Sequence, residues 1–323
     1  MTMIEISTTK PNIINITNNN KSLNRKVLIV CSQHGDEVTP IITGYNLIEL
    51  LKQLDSDHYI WKIFSNITII NGANISALRN CTRTAPIEPI DYNRAYNLTN
   101  EITTPEYIKS LVEINDLVID VHSSESVITP FLLIDDDIYK QSLIDCCNKL
   151  NIFYSLNYTN NNNSLKSYTI HLNDLLFNQP NTRIGFLSNQ KIKLGFTLEL
   201  NSLQCADLNS GLIGGQIILT MLENVDKLYL SNETSLNNFS YNRYITINQE
   251  GIFIPTTNKI KLQKNDQLGI IKNLVGDQIC DVNISDAGTL LILHQSKYVT
   301  CGQNIGIFQP SNLDELTIEE LNC

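Results

Sequence analysis

No stretch of this 323-residue chain reaches the roughly 18 uninterrupted apolar residues that a membrane-spanning helix needs. Met1-Thr2-Met3-Ile4-Glu5-Ile6 has neither the basic nor the apolar region of a secretory leader. A cytoplasmic protein with no membrane partner is therefore expected. Basic clusters are missing as well: 23 Lys and Arg stand against 33 Asp and Glu, a formal charge of −10, without any cationic block. Binding nucleic acid requires clustered cations to neutralise phosphate, so that class of partner is excluded. Eight cysteines occur without a C-x-x-C pair, and Cys31 and Cys280 fall in expected strands. Reduced packing thiols fit this pattern better than a disulfide framework, and adjacent Cys146 and Cys147 read as core and boundary positions of a helix. Sequons such as those at Asn66 and Asn97 follow from a general richness in asparagine and, with no leader, carry little meaning.

Histidine is also scarce, with five in the chain. His34 and His122 end apolar strands. His58, His171 and His294 have no such setting and read as surface or packing residues.

The 42% hydrophobic content is ordinary for a soluble fold of one large or two moderate domains. Strand signals lie at 26–31, 60–70, 116–121, 131–134, 152–156 and 194–200; helical periodicity lies at 38–54, 104–113, 135–150 and from 210 to about 229. Their alternation predicts an α/β fold, a mixed sheet with helices on both faces. Residues 1–24 read as an N-terminal arm or edge strand, 25–237 as the catalytic domain, and 313–323 as a tail. The asparagine-rich segment 157–183 reads as a long loop at the substrate rim. Across 238–312 helical periodicity gives way to short apolar runs separated by Gly, Asn and Asp, which predicts a separate β domain. Within it Asp266–Ile271 resembles Gly302–Ile307, with Ser285-Asp286-Ala287-Gly288-Thr289-Leu290 between them. This loose repeat is similar to the barrel-sandwich of lipoyl and biotinyl carriers. A carrier needs an acceptor lysine on the central hairpin, and Ser285-Asp286-Ala287 offers none, so a structural or gating role is expected.

Chemistry is concentrated in four places. Val27–Cys31 reads as a buried strand of a parallel sheet and runs straight into Ser32-Gln33-His34-Gly35-Asp36-Glu37. Ligands gather at the carboxyl ends of such strands. Gly35 permits a turn tight enough for His34 and Glu37 to converge, and a nitrogen and oxygen pair suits Zn2+; a surface turn opening an acidic helix would look the same. Leu117–Val121 leads in the same way to His122, a third ligand that leaves the fourth zinc position to water. In Asp91-Tyr92-Asn93-Arg94 an amide and a guanidinium sit where they could hold a substrate carboxylate, with Asp91 available to orient a ligating imidazole. In Leu194–Leu200 the alternation would bury Glu199 unless it faces a site, where it could serve as general base.

The ordered series H-G-D-E, C-T-R, D-Y-N-R, D-V-H-S and T-L-E-L resembles the aspartoacylase and succinylglutamate desuccinylase family of zinc carboxypeptidase-like deacylases, over residues 25 to 230 and more loosely beyond. The resemblance implies His34, Glu37 and His122 as ligands of one zinc ion per chain, and Glu199 as the base. It implies Arg83 as the group that polarises the scissile carbonyl, Asn93 and Arg94 as the holders of the substrate carboxylate, and Asp91 as the partner of His34. The chain departs from the family pattern at Asn74-Ile75, at Ala95–Leu98 and at Asn201. The expected activity is hydrolysis of the N-acyl amide of a small carboxylate-bearing amino acid. A zinc carboxypeptidase acting on peptide C-termini and a non-catalytic binding protein are the alternatives; a homo-oligomer is compatible with each.

Overall fold

Central apolar strands decide the architecture in the computed structural model, which describes residues 4–10, 12–18, 25–87, 91–94, 103–134, 140–156, 194–202, 206–226, 243–311 and 320–321. The first sheet contains β1 (Ile4–Lys10), β2 (Ile13–Asn18), β3 (Arg25–Cys31), β4 (Phe64–Asn71), β5 (Leu117–Ser124), β6 (Phe131–Ile134), β7 (Phe153–Leu156) and β8 (Leu194–Asn201). Their order across the sheet is β1-β2-β4-β3-β5-β8-β6-β7. The four inner strands β4, β3, β5 and β8 run parallel, whereas β2 and β6 join antiparallel. Within the expected N-terminal segment, β1 and β2 pair antiparallel at the edge of the sheet.

Strands buried on both faces should be apolar throughout, and Val27–Cys31 and Leu117–Ile119 are buried completely. On one face Val27, Ile29, Ile119 and Phe196 pack against α1 (Thr39–Gln53), α5 (Lys140–Leu150) and α6 (Leu208–Glu223), through residues such as Leu47, Ile144 and Met221. On the other, Leu28, Val30 and Val118 meet Ile108 and Val112 of α4 (Thr103–Ile114). The expected strand at 60–70 starts instead as the short helix α2 (Ile60–Ile63), which buries Ile60, Trp61 and Ile63 before β4 begins. A further short helix, α3 (Ile75–Arg79), is capped by Asn74, whose side chain accepts from Ala77 N at 3.1 Å. Helix α5 covers Lys140–Leu150, with 135–139 outside the described residues, and α6 covers Leu208–Glu223, starting two residues before the expected 210, with 227–229 outside the described residues. The 157–183 segment lies outside the described residues. So does His171, whereas His58 pairs with Glu223 at 3.3 Å. Among the described residues no disulfide joins two cysteines, and no helix is long and apolar enough to cross a membrane.

The C-terminal strands are β9 (Arg243–Ile247), β10 (Gly251–Pro255), β11 (Lys261–Leu262), β12 (Gln267–Lys272), β13 (Gln278–Asn283), β14 (Gly288–Leu293), β15 (Lys297–Val299), β16 (Asn304–Pro310) and β17 (Glu320–Leu321). They form two sheets, β13-β12-β10-β15 and β11-β14-β16-β9-β17, antiparallel except where β17 joins β9. Phe253, Leu268 and Ile271 of the first sheet share one core with Ile245, Leu290 and Phe308 of the second. The two copies of the loose repeat lie in β12 and at the start of β16, one in each sheet.

A seam joins the two parts of the chain. Val127, Phe131 and Leu133 pack with Leu291 and Ile307. Alongside them Ile128 N donates to Leu291 O and Leu293 N to Ser126 O, both at 2.8 Å. His294 lies within the seam, with Nδ1 3.2 Å from Ser126 Oγ. Burial and the nearby Lys297 charge push its pKa down to about 4. Between that value and the ordinary 6.5 the unfolded chain binds more protons than the folded one, so stability falls as pH falls through this window. Thermal melts at pH 7 and pH 5 check this: His294→Gln is expected to lose less Tm between the two than the parent chain, and an equal loss would remove His294 as the cause.

Candidate metal centre and active site

Beyond Cys31 the chain turns so sharply that Ser32 takes φ = +56°, a left-handed conformation rarely adopted by residues with a side chain. Such strain persists only where the surroundings hold it, and it gathers at functional sites. Ser32 is fully buried, and its Oγ donates to the Glu37 carbonyl oxygen at 2.5 Å. Its own carbonyl accepts from Asn74 N at 3.2 Å. Gly35 lets this loop lie directly on α3: a Cβ there would stand 2.0 Å from the carbonyl carbon of Ala77 and 2.2 Å from Leu78 N. Any larger residue must displace the helix that leads to Arg83.

The sheet order explains why the loop faces His122. From β3 the chain crosses to β4 on one side, while β5 lies on the other, and ligand sites form where strand order reverses in this way. His34 Nδ1 lies 2.6 Å from Glu37 Oε1, and His122 Nδ1 lies 2.9 Å from Glu37 Oε2. Candidate ligand atoms of the three residues all fall within 4.8 Å of one another. The opposite ring nitrogens meet other carboxylates, His34 Nε2 at 3.0 Å from Asp91 Oδ1 and His122 Nε2 at 3.0 Å from Asp120 Oδ2. An imidazole that donates Nε2–H to a carboxylate keeps its Nδ1 lone pair for a metal. Two such nitrogens and one carboxylate make the three-ligand set of an open site, so His34, Glu37 and His122 fit a metal ion.

In the protein without metal these charges hold one another. Burial favours neutral forms and by itself would raise the Glu37 pKa, but the charges of His122 and His34 outweigh it and hold the carboxyl below its usual range. Burial likewise opposes charge on His34, yet Glu37 and the hydrogen bond that His34 donates to Asp91 raise its pKa; burial also opposes charge on His122, but the charges of Asp120 and Glu37 raise its pKa well above 6.5.

Around this trio lie the remaining expected residues. Arg83 Nε and Nη2 donate to Asp91 Oδ2 at 3.1 and 2.9 Å, and its Nη1 stands 3.9 Å from Glu37 Oε1. Asp91 therefore bridges His34 and Arg83 through its two oxygens. The Arg83 side chain is 49% exposed, so it borders the candidate ligands from the solvent side. Tyr92–Arg94 forms a single 3₁₀ turn after Asp91. Within it Asn93 is buried, its Nδ2 3.2 Å from His122 Nε2, while the side chain of Arg94 lies outside the described residues. Glu199 is in register with His122 on the neighbouring strand and with Phe131 on the other side. Paired positions put their side chains on the same face of a sheet, so Glu199 flanks His122 one strand away.

Two buried residues of this site had no role in the sequence reading. Asp120 precedes His122 by two positions in β5 and so shares its face, a signal available from the period of a strand. Gln33 gives no such signal. Only the parallel pairing of β3 with β5, with Val30 opposite Asp120, brings it to the Asp120 carboxylate.

Comparison with known proteins bears on the family and the fold. The sequence model of the succinylglutamate desuccinylase/aspartoacylase catalytic domain matches residues 24–225. Curated proteins give no significant match. Among solved structures, the chain is similar to a product-bound ectoine utilization protein from Ruegeria pomeroyi, at 15% identity over 93% of this chain and 88% of that one, with a TM-score of 0.62. A succinylglutamate desuccinylase from Silicibacter sp. TM1040 is similar at 16% identity over 96% of this chain and 99% of that one, also with a TM-score of 0.62. A metallo-carboxypeptidase from Burkholderia cenocepacia is similar at 14% identity over 69% and 65% of the two chains, with a TM-score of 0.51. At these identities the structural likeness is one of fold, a carboxypeptidase-like mixed sheet between helices. The catalytic-domain match carries the assignment further: the chain belongs to the succinylglutamate desuccinylase/aspartoacylase family of deacylases.

Proposed function

We propose that the chain is a zinc-dependent, cytoplasmic amidohydrolase that removes the acyl group from the nitrogen of a small, carboxylate-bearing amino acid. One observation carries this reading: both imidazoles turn Nδ1 onto Glu37 while separate aspartates back their Nε2 atoms. His34, Glu37 and His122 would hold one Zn2+, which when bound supplies a Lewis acid that acidifies water and polarises an amide carbonyl. Glu199 takes a proton from the attacking water and later returns it to the leaving amine. Arg83, already oriented by Asp91, donates to the oxyanion that forms as water adds to the carbonyl carbon. Asn93 and Arg94 hold the carboxylate of the amino-acid half, Arg94 through its two-pronged guanidinium.

In this reading residues 25–237 form the catalytic domain and 238–312 a barrel-sandwich-like β domain. Its seam to Ser126–Ile128, in the turn that follows β5, favours a structural role. The test is a screen of the zinc-loaded protein over acetyl, succinyl and formyl derivatives of Asp, Glu, ornithine and related amino acids, with short unblocked peptides beside them. Turnover of N-acyl amino acids supports a deacylase. Turnover confined to peptides would make the chain a carboxypeptidase, and about one equivalent of zinc without any turnover would make it a binding protein.

The two arginines should separate in the same assay. Arg83→Ala is expected to lower kcat and kcat/KM together by about 10²–10³, as loss of an oxyanion donor does. Arg94→Ala is expected to raise KM far more than it lowers kcat, and Arg94→Lys to restore only part of the loss, because an ammonium cannot reproduce the planar fork. Effects on KM alone from both alanine variants would show that both arginines merely attract the anion.

A further inference from the structure

We infer that Gln33 is a positioning residue for the metal centre, whose carboxamide pins Asp120 and thereby sets which nitrogen of His122 carries the proton. The inference rests on the metal reading above. Gln33 is fully buried, and its Nε2 lies 2.9 and 2.8 Å from the two carboxylate oxygens of Asp120 and 3.4 Å from Asn93 Oδ1. Asp120 is buried as well, and a buried carboxylate must be met by donors.

The choice of donor matters. An amide spans both oxygens without a charge of its own, so the full pull of Asp120 on the imidazole remains, where a Lys or Arg would quench it. Two groups compete at His122 Nε2. Asp120 Oδ2, at 3.0 Å, can only accept and therefore favours Nε2–H, which leaves the Nδ1 lone pair facing Glu37. Asn93 Nδ2, at 3.2 Å, can only donate and therefore favours the opposite tautomer, which has no lone pair on Nδ1 for a metal. With Asp120 held by Gln33 the carboxylate wins. Released from Gln33, it is free to turn from Nε2 and cede that position to the Asn93 amide.

The experiment compares the parent chain with Gln33→Leu, which keeps the bulk and removes the donor. Nitrogen-15 spectra of the histidine rings, recorded on metal-free protein across a rising pH series until the His122 ring has lost its extra proton, report the tautomer of the neutral ring, and chelator competition reports zinc affinity. The parent is expected to hold Nε2–H, and the variant to shift toward Nδ1–H and to bind zinc about 10–100-fold more weakly, the usual cost of losing a partner behind a ligand. A residue that only fills space would leave the tautomer unchanged. An unchanged tautomer overturns the inference, and so does unchanged affinity in a zinc-binding parent. If the parent binds no zinc the metal reading fails, yet the tautomer comparison still decides the role of Gln33. Should Gln33→Leu fail to fold, Gln33→Met is read by the same spectra.

Discussion

Glu199→Gln is expected to keep its zinc and to lose about 10²–10⁴ in kcat, the usual contribution of a positioned general base. The substitution changes one oxygen to nitrogen and leaves the size of the side chain, its half-buried place in β8 and its register with His122 untouched. Only the ability to accept and return a proton disappears. KM should change little, because the substrate carboxylate is assigned to Asn93 and Arg94. Metal content measured beside kcat separates two failures: near-normal turnover would remove Glu199 from the proton path, while loss of zinc would make it a ligand.

His122→Ala is expected to abolish both zinc retention and activity. One of three protein ligands disappears, which should weaken binding beyond the 10–100-fold that follows from loss of an outer partner alone. Stability should fall as well, by about 3–5 kcal/mol, because removing one member of a buried ionic set strands the others. Glu37 Oε2 would keep Ser123 N at 3.0 Å but lose the imidazole, and Asp120 would keep Gln33. His122→Gln, which fills more of the space, isolates metal loss from collapse of the site. Full zinc occupancy in either variant, measured per folded chain, would mean that the metal lies elsewhere.

The central strands were legible because each is a short, continuous apolar run ended by a polar residue, the mark of a strand covered on both faces. His34, Glu37, His122 and Glu199 could be picked out for the same reason: each interrupts or ends such a run, where a polar group needs a purpose. Element ends were less legible. Ile60–Ile63 is as apolar as the strand that follows it, and composition does not say that Trp61 will be buried from a helix. The edge hairpin β1–β2 was ambiguous because β1 is exposed and β2 mixes the buried Ile13 and Ile16 with Asn and Thr, so tertiary pairing with β4 rather than local preference decides its form. Gln33 was unreadable in principle. Its role depends on a partner that is distant in sequence, and glutamine beside a ligand carries no pattern of its own.

The seam between the two parts of the chain also bears on when the protein becomes competent during its synthesis. The strand bearing Glu199 ends at Asn201, yet the turn after His122 completes its backbone hydrogen bonds only through Leu291 and Leu293. A nascent chain released from the ribosome before those residues has emerged would carry every proposed ligand and the proposed base. It would still lack the strand edge that holds residues 126–128 beside β5. Pairings between such distant segments form late, after the local helices and hairpins. Under the proposed function, capture of a metal in a fixed geometry would therefore wait for residues 291–293, some ninety positions after the last of the proposed site residues has been made.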